Sequence, residues 1–343
     1  MNEPLICGVS IVIPVYKTPL NYFKTCLESL HHQTMSNCEF IIIFDGENNS
    51  LYTLCEAYKK KDSRFKLYSR PHFGVSATRN FGIIQSNGEY ITFVDADDWI
   101  EKDCCDLSYK FAKQNDSDIV LFDYIPESKQ YNEKNYSATS IALLDQDARE
   151  TLQKESIQLT DEKNVAAVST WCKLIKNTLI KENNLHFPEN VSIVVDRPFV
   201  FSSFLFAKKV SYLHENLYHY NKIENSITYS FYNNKLPLVL GHLFEIKKIS
   251  SKYSVIIANQ AIAVFFSSWI ECYFNNKNTD TLKQRVQNII RIVNSQEFQE
   301  LISDARPQNV PFTVKIETIL LKRKITLQVW LHAIKWKIST FCK

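Results

Sequence analysis

Short apolar runs alternate with stretches of helical spacing through the first third of the chain. The apolar runs predict strands at residues 9–15, 40–44, 65–68, 90–94 and 118–122. The stretches between them predict helices at residues 20–33, 51–60, 76–85 and 102–114. This alternation predicts an α/β fold with a mostly parallel sheet covered by helices.

The pattern changes after the fifth predicted strand. Residues 126–166 are polar and weakly periodic, which predicts a loop-rich insertion able to contact an acceptor molecule. Helices are predicted at 171–183 and 197–207, with residues 190–195 between them. Beyond Tyr229 the spacing is helical to the end of the sequence.

These patterns predict two domains, with a boundary near Ser230. The first, residues 1–230, consists of a nucleotide-binding half of about 1–123 and an acceptor-side half of about 124–230. The second, residues 231–343, is a helical extension.

Composition narrows the class of protein. A chain of 343 residues with 45% hydrophobic and 22% charged content is long enough to bury a full core. The net charge of +3 gives no indication of nucleic-acid binding. Nine cysteines without a CxxC pair predict neither a zinc site nor a disulfide framework, so a reduced cytoplasmic compartment is expected.

Two segments bear on targeting. The start of the chain has Glu3 and no basic leader, and Pro14 interrupts its apolar run, which favours a strand over a signal peptide. Residues 253–270 carry no charge over about the length of a membrane span. Asn259, Gln260 and several serines in or beside that segment favour a buried core helix instead.

Three carboxylates cluster directly after the predicted strand at 90–94: Asp95, Asp97 and Asp98. In open α/β sheets the ligand site lies beyond the carboxyl ends of the strands, where this cluster falls. Adjacent carboxylates repel one another unless a cation compensates their charge. Hard oxygen ligands favour Mn²⁺ or Mg²⁺, which commonly complete their shell with substrate phosphates. The alternative is an Asp-rich turn in which Asp98 caps the following helix.

Four blocks, in order, resemble the family 2 glycosyltransferases, which have the GT-A fold. Residues 10–16 (Ser-Ile-Val-Ile-Pro-Val-Tyr) resemble the family's opening strand and nucleotide-binding turn. Residues 39–46 (Glu-Phe-Ile-Ile-Ile-Phe-Asp-Gly) resemble its second strand. Residues 74–82 are similar to its Gly-x-Ser-x-Ala-Arg-Asn-x-Gly block, with Thr78 in place of the alanine. Residues 95–98 (Asp-Ala-Asp-Asp) resemble its metal-binding DxD motif.

The resemblance implies a role for each matching residue. Asp45 is expected to contact the base, Arg79 to help hold the nucleotide, and Asp95 to lie nearer the ribose. The metal ligands it implies are Asp97 and Asp95. The implied donor-binding residues in these blocks are Pro14, Val15, Tyr16, Asp45, Arg79, Asp95 and Ala96.

A further region resembles the acceptor-side run of the family, which ends in Glu-Asp-x-x-Phe. It comprises residues 171–174, 185–189 and 195–199, with Val195 in place of the glutamate. Asp196 keeps the position from which the family draws its catalytic base. A structural alternative is that Asp196 is the N-cap of a helix starting at Arg197, and both roles are compatible.

Residues 217–220 and 226–228 resemble the segment that closes over the donor diphosphate. Asn221 stands where an arginine is frequent in the family, so phosphate contact is expected from Lys222 or His219. A purely structural histidine is the alternative for His219.

The implied activity is metal-dependent, inverting transfer of a sugar from a nucleotide diphosphate, with uridine as the expected base. The resemblance implies a hexosyltransferase of surface-polysaccharide synthesis whose acceptor is a glycan or a lipid-linked glycan. A non-catalytic nucleotide-sugar-binding relative is one alternative, motivated by Val195 and Asn221. A sugar-nucleotide pyrophosphorylase is another, but the turn after the first strand lacks the glycines that such an enzyme needs.

The end of the sequence is strongly basic. Residues 315–343 contain seven lysines and arginines and one acid, Glu317. Six apolar residues fall on one helical stripe: Leu320, Leu327, Leu331, Ile334, Ile338 and Phe341. This pattern is typical of an interfacial helix on an anionic membrane, which predicts a peripheral position on the inner face of the cell membrane. The alternative is a helix that packs on the enzyme with its lysines in water.

Overall fold

The computed structural model describes residues 7–126, 140–141, 143–158, 165–222, 231–268, 272–306, 308, 312–324 and 329. Its strands are β1 (Val9–Val15), β2 (Cys38–Asp45), β3 (Phe65–Arg70), β4 (Tyr90–Phe93), β5 (Trp99–Ile100), β6 (Ile119–Pro126), β7 (Lys173–Lys176) and β8 (Val210–Tyr220). Its helices in the first 210 residues are α1 (Leu20–His31), α2 (Asn49–Lys61), α3 (Val75–Gln85), α4 (Cys104–Asn115), α5 (Gln146–Ile157), α6 (Val165–Val168), α7 (Asn177–Glu182) and α8 (Asp196–Phe206).

All eight strands form one sheet in the order β3-β2-β1-β4-β7-β6-β8-β5. The pairs β3-β2, β2-β1, β1-β4 and β6-β8 are parallel, whereas β7 runs antiparallel to both β4 and β6. Two antiparallel pairings restore the original direction, so β6 and β8 point the same way as β1, β2 and β4. The carboxyl ends of these five strands therefore lie at one edge of the sheet.

Helices cover both faces of the sheet, as predicted. Along β1 and β2, alternate side chains enter two different cores: Ile11, Ile13, Phe40 and Ile42 pack on one side and Val12 on the other. Burial on both faces explains why these strands read as continuous apolar runs. The mostly parallel α/β sheet is confirmed.

The acceptor-side half differs from prediction in three places. Residues 171–183 are not one helix, because 173–176 form β7, inserted between β4 and β6, and only 177–182 are helical. Pairing on both sides outweighs the local helical spacing there. Within 126–166, where loops were expected, α5 occupies Gln146–Ile157. The long strand β8 had no counterpart among the predicted strands.

The chain divides into two compact units, one of residues 1–153, 162–189 and 195–224 and the other of 154–161, 190–194 and 225–343. In the second unit the described α-helices from residue 231 onward are α9 (Lys235–Ile249), α10 (Ser254–Ser268), α11 (Leu282–Asn294), α12 (Gln296–Ile302) and α13 (Phe312–Lys322). Helix α10, from the uncharged segment, buries Ile257, Ile262 and Phe265. Within the described ranges, no helix combines the length and apolarity needed to cross a membrane.

Much of two predicted segments lies outside the described residues. These are 127–139, 142 and 159–164 of the insertion, and 325–328 and 330–343 of the basic C-terminus. Leu331, Ile334, Ile338 and Phe341 of the proposed stripe are among them.

Candidate active site

The candidate residues converge at the edge where the parallel strands end. Tyr16 follows β1, Asp45 is the last residue of β2, Asp95 lies two residues beyond β4, and Lys222 lies two residues beyond β8. This convergence follows from the sheet topology, since parallel strands place their carboxyl ends together.

Arg79 joins two carboxylates from distant parts of the chain. Its Nη2 donates to Asp95 Oδ1 at 2.9 Å, and its Nη1 donates to Asp196 Oδ1 at 2.6 Å. The Arg79 side chain is 5% exposed, whereas those of Asp95 and Asp196 are 30% and 23% exposed. The two carboxylates raise the pKa of the buried guanidinium against the effect of burial, so Arg79 is always charged.

Local structure in α3 places Arg79. Gly74, at φ +91° before the first helical residue, adopts a conformation that strains any other residue. A Cβ at Gly82 would overlap Val12 of β1, so glycine lets α3 approach the sheet. Backbone geometry therefore explains both glycines of this block, and they position the helix that carries Arg79.

Asp196 is held from its other side by Thr170. The Thr170 backbone N–H and hydroxyl both donate to Asp196 Oδ2, at 3.2 and 3.0 Å. The structural alternative, in which Asp196 is the N-cap of its helix, is wrong: Asp196 is the first residue of α8 and Val195 is the cap. The reason is that Arg79 and Thr170 take the carboxylate away from the helix amides.

Asp98 is buried and fully engaged. It accepts the Tyr218 hydroxyl at 2.6 Å and the Asn221 backbone N–H at 2.8 Å, so it does not cap α4, whose N-cap is Asp103. Burial, followed by repulsion from Asp95 and Asp97, raises the pKa of Asp98 to about 9. These contacts tie the end of β8 to the acidic loop.

Asn221 strengthens the same connection. Its Nδ2 donates to the Asp97 carbonyl at 2.7 Å. An asparagine at this position therefore orders the acidic loop through hydrogen bonds, where the family pattern suggested a charged side chain.

The acidic loop fits a metal that is shared with a substrate. Burial and the charge of Asp95 raise the pKa of Asp97 to about 6, and a cation bound beside them would favour the ionised form. Across the part of the chain that the structure describes, no three His, Cys, Asp or Glu side chains converge to enclose a metal by themselves. Mg²⁺ and Mn²⁺ commonly take only one or two carboxylates and complete their shell with phosphate oxygens.

Asp45 lies at the far end of this edge, 4% exposed, under the turn that precedes α3. Its Oδ1 accepts the Phe73 N–H at 2.8 Å, and its Oδ2 accepts the Gly74 N–H at 3.0 Å and His72 Nδ1 at 2.8 Å. The His72 ring stacks on Tyr16 with centroids 4.2 Å apart and planes 8° from parallel. Asp45 therefore organises this turn.

Three of the predicted donor-binding residues are buried: Val15, Ala96 and His219. Val15 and Ala96 are 2% and 4% exposed, so their side chains belong to the core and only their backbone can face a ligand. His219 stacks on Trp99 at 3.4 Å and contacts Glu101 through Nε2 at 2.8 Å, which favours the structural alternative for this histidine. Lys222 is exposed.

Three residues of the site had no assigned role in the sequence analysis: Thr170, Tyr218 and His72. Tyr218 lies within the recognised block 217–220 and Thr170 adjoins the block that starts at residue 171, but nothing in the sequence pairs them with Asp98 and Asp196. Trp171 connects them, because its ring stacks on Tyr218 at 4.7 Å. These contacts join segments that are distant in sequence, so only the structure reveals them.

The family model described as Glycosyl transferase family 2 matches residues 10–183. EpsH of Bacillus subtilis (strain 168) is 30% identical over 334 residues, covering 92% of this chain and 91% of the relative. The poly(ribitol-phosphate) beta-glucosyltransferase of Bacillus spizizenii is 33% identical over 216 residues, covering 62% of this chain but only 32% of that protein.

Among solved structures, S. aureus TarS 1-349 in complex with UDP-GlcNAc matches with a TM-score of 0.68. The match covers 97% of this chain and 92% of TarS 1-349 at 17% identity. At that identity the likeness concerns the fold, and it confirms the GT-A architecture with C-terminal helices.

Proposed function

This chain belongs to glycosyl transferase family 2, and we propose that it is a metal-dependent, inverting hexosyltransferase that uses a UDP-sugar and a surface-glycan hydroxyl. The observation that carries the proposal is the bridge from Asp95 through Arg79 to Asp196. It holds a donor-side and an acceptor-side carboxylate on the two terminal nitrogens of one buried guanidinium. A UDP donor is supported by the UDP-GlcNAc complex of TarS, and a hydroxyl-bearing polymer as acceptor by the name of the poly(ribitol-phosphate) beta-glucosyltransferase relative.

In this proposal Asp196 is the general base. Three donors occupy its two oxygens, and an ionised carboxylate offers about four acceptor positions, so one remains for an acceptor hydroxyl. The acceptor proton passes to Asp196 as the acceptor oxygen forms its bond to the sugar carbon and the bond to the leaving diphosphate breaks. A positioned base of this kind contributes typically about 10²–10⁴-fold in rate.

Inversion follows from a single in-line displacement. Asp196 removes a proton and makes no bond to the sugar, so no second carboxylate is required as a nucleophile. Arg79 and Thr170 fix the direction of the carboxylate, which supplies orientation before the reaction starts.

Asp97 and Asp95 would hold Mn²⁺ or Mg²⁺, with the remaining ligands coming from the donor diphosphate. When bound, such a cation neutralises the charge that develops on the leaving diphosphate. We propose that Lys222, which is exposed just beyond β8, places a second positive charge against the donor phosphates. Pro14, Val15, Tyr16, Asp45 and Ala96 form the remaining wall of the proposed donor site.

We also assign the second unit a contact with an anionic membrane surface. The exposed face of α13 presents Lys315, Ile316, Ile319 and Lys322, and Ile316 and Ile319 are 40% and 51% exposed. Mixed basic and apolar exposure suits an anionic bilayer surface. The cysteines of the described residues are all free, which fits a reducing compartment such as the cytoplasm.

The test is a donor-hydrolysis screen with purified protein, Mn²⁺ and a panel of nucleotide sugars. The parent is compared with Asp97→Ala and Asp196→Asn. We expect slow hydrolysis of one donor, loss of hydrolysis in both variants, and retained nucleotide binding in Asp196→Asn. No nucleotide binding to the parent would contradict the proposal. Nucleotide binding without transfer to any acceptor would favour the non-catalytic alternative.

A further inference from the structure

The turn between β3 and α3 is built around a histidine at the expected nucleobase end of the donor site. His72 contacts Asp45 through Nδ1 and lies flat on Tyr16. Its side chain nevertheless remains 51% exposed, and Tyr16 is 41% exposed. The ring is thus fixed on two sides while one edge stays accessible.

The contact with Asp45 determines which ring nitrogen carries the proton. Asp45 accepts two backbone N–H groups, and because a carboxylate oxygen only accepts hydrogen bonds, His72 Nδ1 is the donor in their contact. In a neutral imidazole the other nitrogen, Nε2, is then an acceptor only. Among the described residues Nε2 has no hydrogen-bond partner.

Neighbouring groups keep this edge in place. Backbone contacts at Phe73 and Gly74 hold the turn against Asp45, and Gly74 needs its positive φ. Because the His72 and Tyr16 rings are 8° from parallel, a planar ring hydrogen-bonded in the imidazole plane also lies parallel to Tyr16. The site therefore presents a preoriented acceptor beside an aromatic surface.

We propose that His72 determines the nucleobase selectivity of the donor site by accepting the N3–H of a uracil ring at Nε2. This inference rests on the proposed donor site and names the residue that selects its substrate class. Uracil carries a proton on N3, whereas N3 of cytosine is an acceptor and would face the Nε2 lone pair. A site with a fixed acceptor rejects a ligand that lacks the matching donor.

The experiment measures dissociation constants of UDP and CDP by calorimetry in Mg²⁺ buffer at pH 8. These ligands share ribose and diphosphate and differ only at the pyrimidine edge. The proteins are the parent, His72→Ala, His72→Gln and the control His32→Ala, an exposed histidine at the end of α1. Thermal unfolding of each variant reports any loss of folding.

We expect the parent and His32→Ala to prefer UDP by about 10-fold or more, consistent with one lost hydrogen bond and one unpaired acceptor. His72→Ala should reduce the preference to within about 3-fold through weaker UDP binding, and His72→Gln, which retains an acceptor oxygen, should restore part of it. An unchanged UDP-to-CDP ratio in folded His72→Ala overturns this inference and leaves the proposed function standing. Absence of nucleotide binding by the parent overturns both.

Discussion

Arg79 Nη1 lies 2.6 Å from Asp196 Oδ1, although the two residues are separated by 117 positions in the sequence. The same guanidinium holds Asp95, so one buried charge fixes the geometry on both sides of the proposed reaction. Its loss should affect the alignment of the site as well as stability.

Arg79→Lys should abolish most transfer activity and lower stability. A lysine offers one compact charge and cannot bridge both carboxylates with a planar fork. The exchange leaves at least one of the two carboxylates without its ion pair, and breaking a buried ion pair typically costs about 3 kcal/mol or more. Urea unfolding and donor hydrolysis measure the two effects. Arg291→Lys, on the exposed face of α11, is the matched control and should change neither. Normal hydrolysis by Arg79→Lys would contradict the bridging role.

Asp97→Ala should remove the dependence of nucleotide binding on Mn²⁺. If Asp97 holds the metal, the parent should bind UDP at least about 10-fold more tightly with Mn²⁺ than with EDTA, because the cation screens the diphosphate. The variant should bind UDP equally weakly in both buffers. Asp106→Ala, an exchange on the surface of α4, should retain the full metal effect. A metal effect that survives in Asp97→Ala would assign the metal elsewhere.

Lys173 should make the free energy of unfolding depend on pH in the alkaline range. This buried side chain on β7 donates to the Ser169 carbonyl, and burial lowers its pKa from 10.5 to about 8. Between pH 8 and 10.5 the unfolded chain binds more protons at this residue than the folded chain does. The contribution of Lys173 to the free energy of unfolding therefore increases as the pH rises through that window.

Urea unfolding of the parent and Lys173→Met at pH 7.5 and 9.5 measures this effect. The free energy of unfolding of the parent, relative to the variant, should increase by about 1–2 kcal/mol between the two values. If the difference in the free energy of unfolding stays constant or shrinks as the pH rises, the pKa of Lys173 is not lowered by burial. Taking the difference between the proteins removes the cysteine and tyrosine contributions that both share.

The exposed face of α13 should bind anionic vesicles. The parent should sediment with phosphatidylglycerol vesicles at low salt and be released at high salt, because screening weakens the attraction. Lys315→Glu combined with Lys322→Glu should reduce binding by about 10-fold or more, whereas Lys283→Glu on the exposed face of α11 should not. Equal binding to phosphatidylcholine, or no effect of the double exchange, would exclude this surface.

Sequence patterns predicted the secondary structure correctly where buried positions recur at a regular spacing. Continuous apolar runs such as β1 and β2 are buried on both faces, and the amphipathic helices between them leave few other arrangements. Prediction failed at β7, a four-residue strand that pairs with β4 on one side and with β6 on the other. Such pairing depends on distant strands, so local spacing at residues 171–183 could not reveal it.

By itself, the sequence determined the chemical groups at the site and the side of the sheet on which they lie. Asp45, Asp95 and Asp97 follow parallel strands, and strand direction alone places them at one edge. Only the tertiary structure decided the hydrogen-bond partners of these groups. Arg79 joins Asp95 to Asp196. Tyr218 donates to Asp98, and His72 contacts Asp45. The physical reason is that hydrogen bonds form over about 3 Å between side chains that the fold brings together, and their spacing in the sequence carries no record of that proximity.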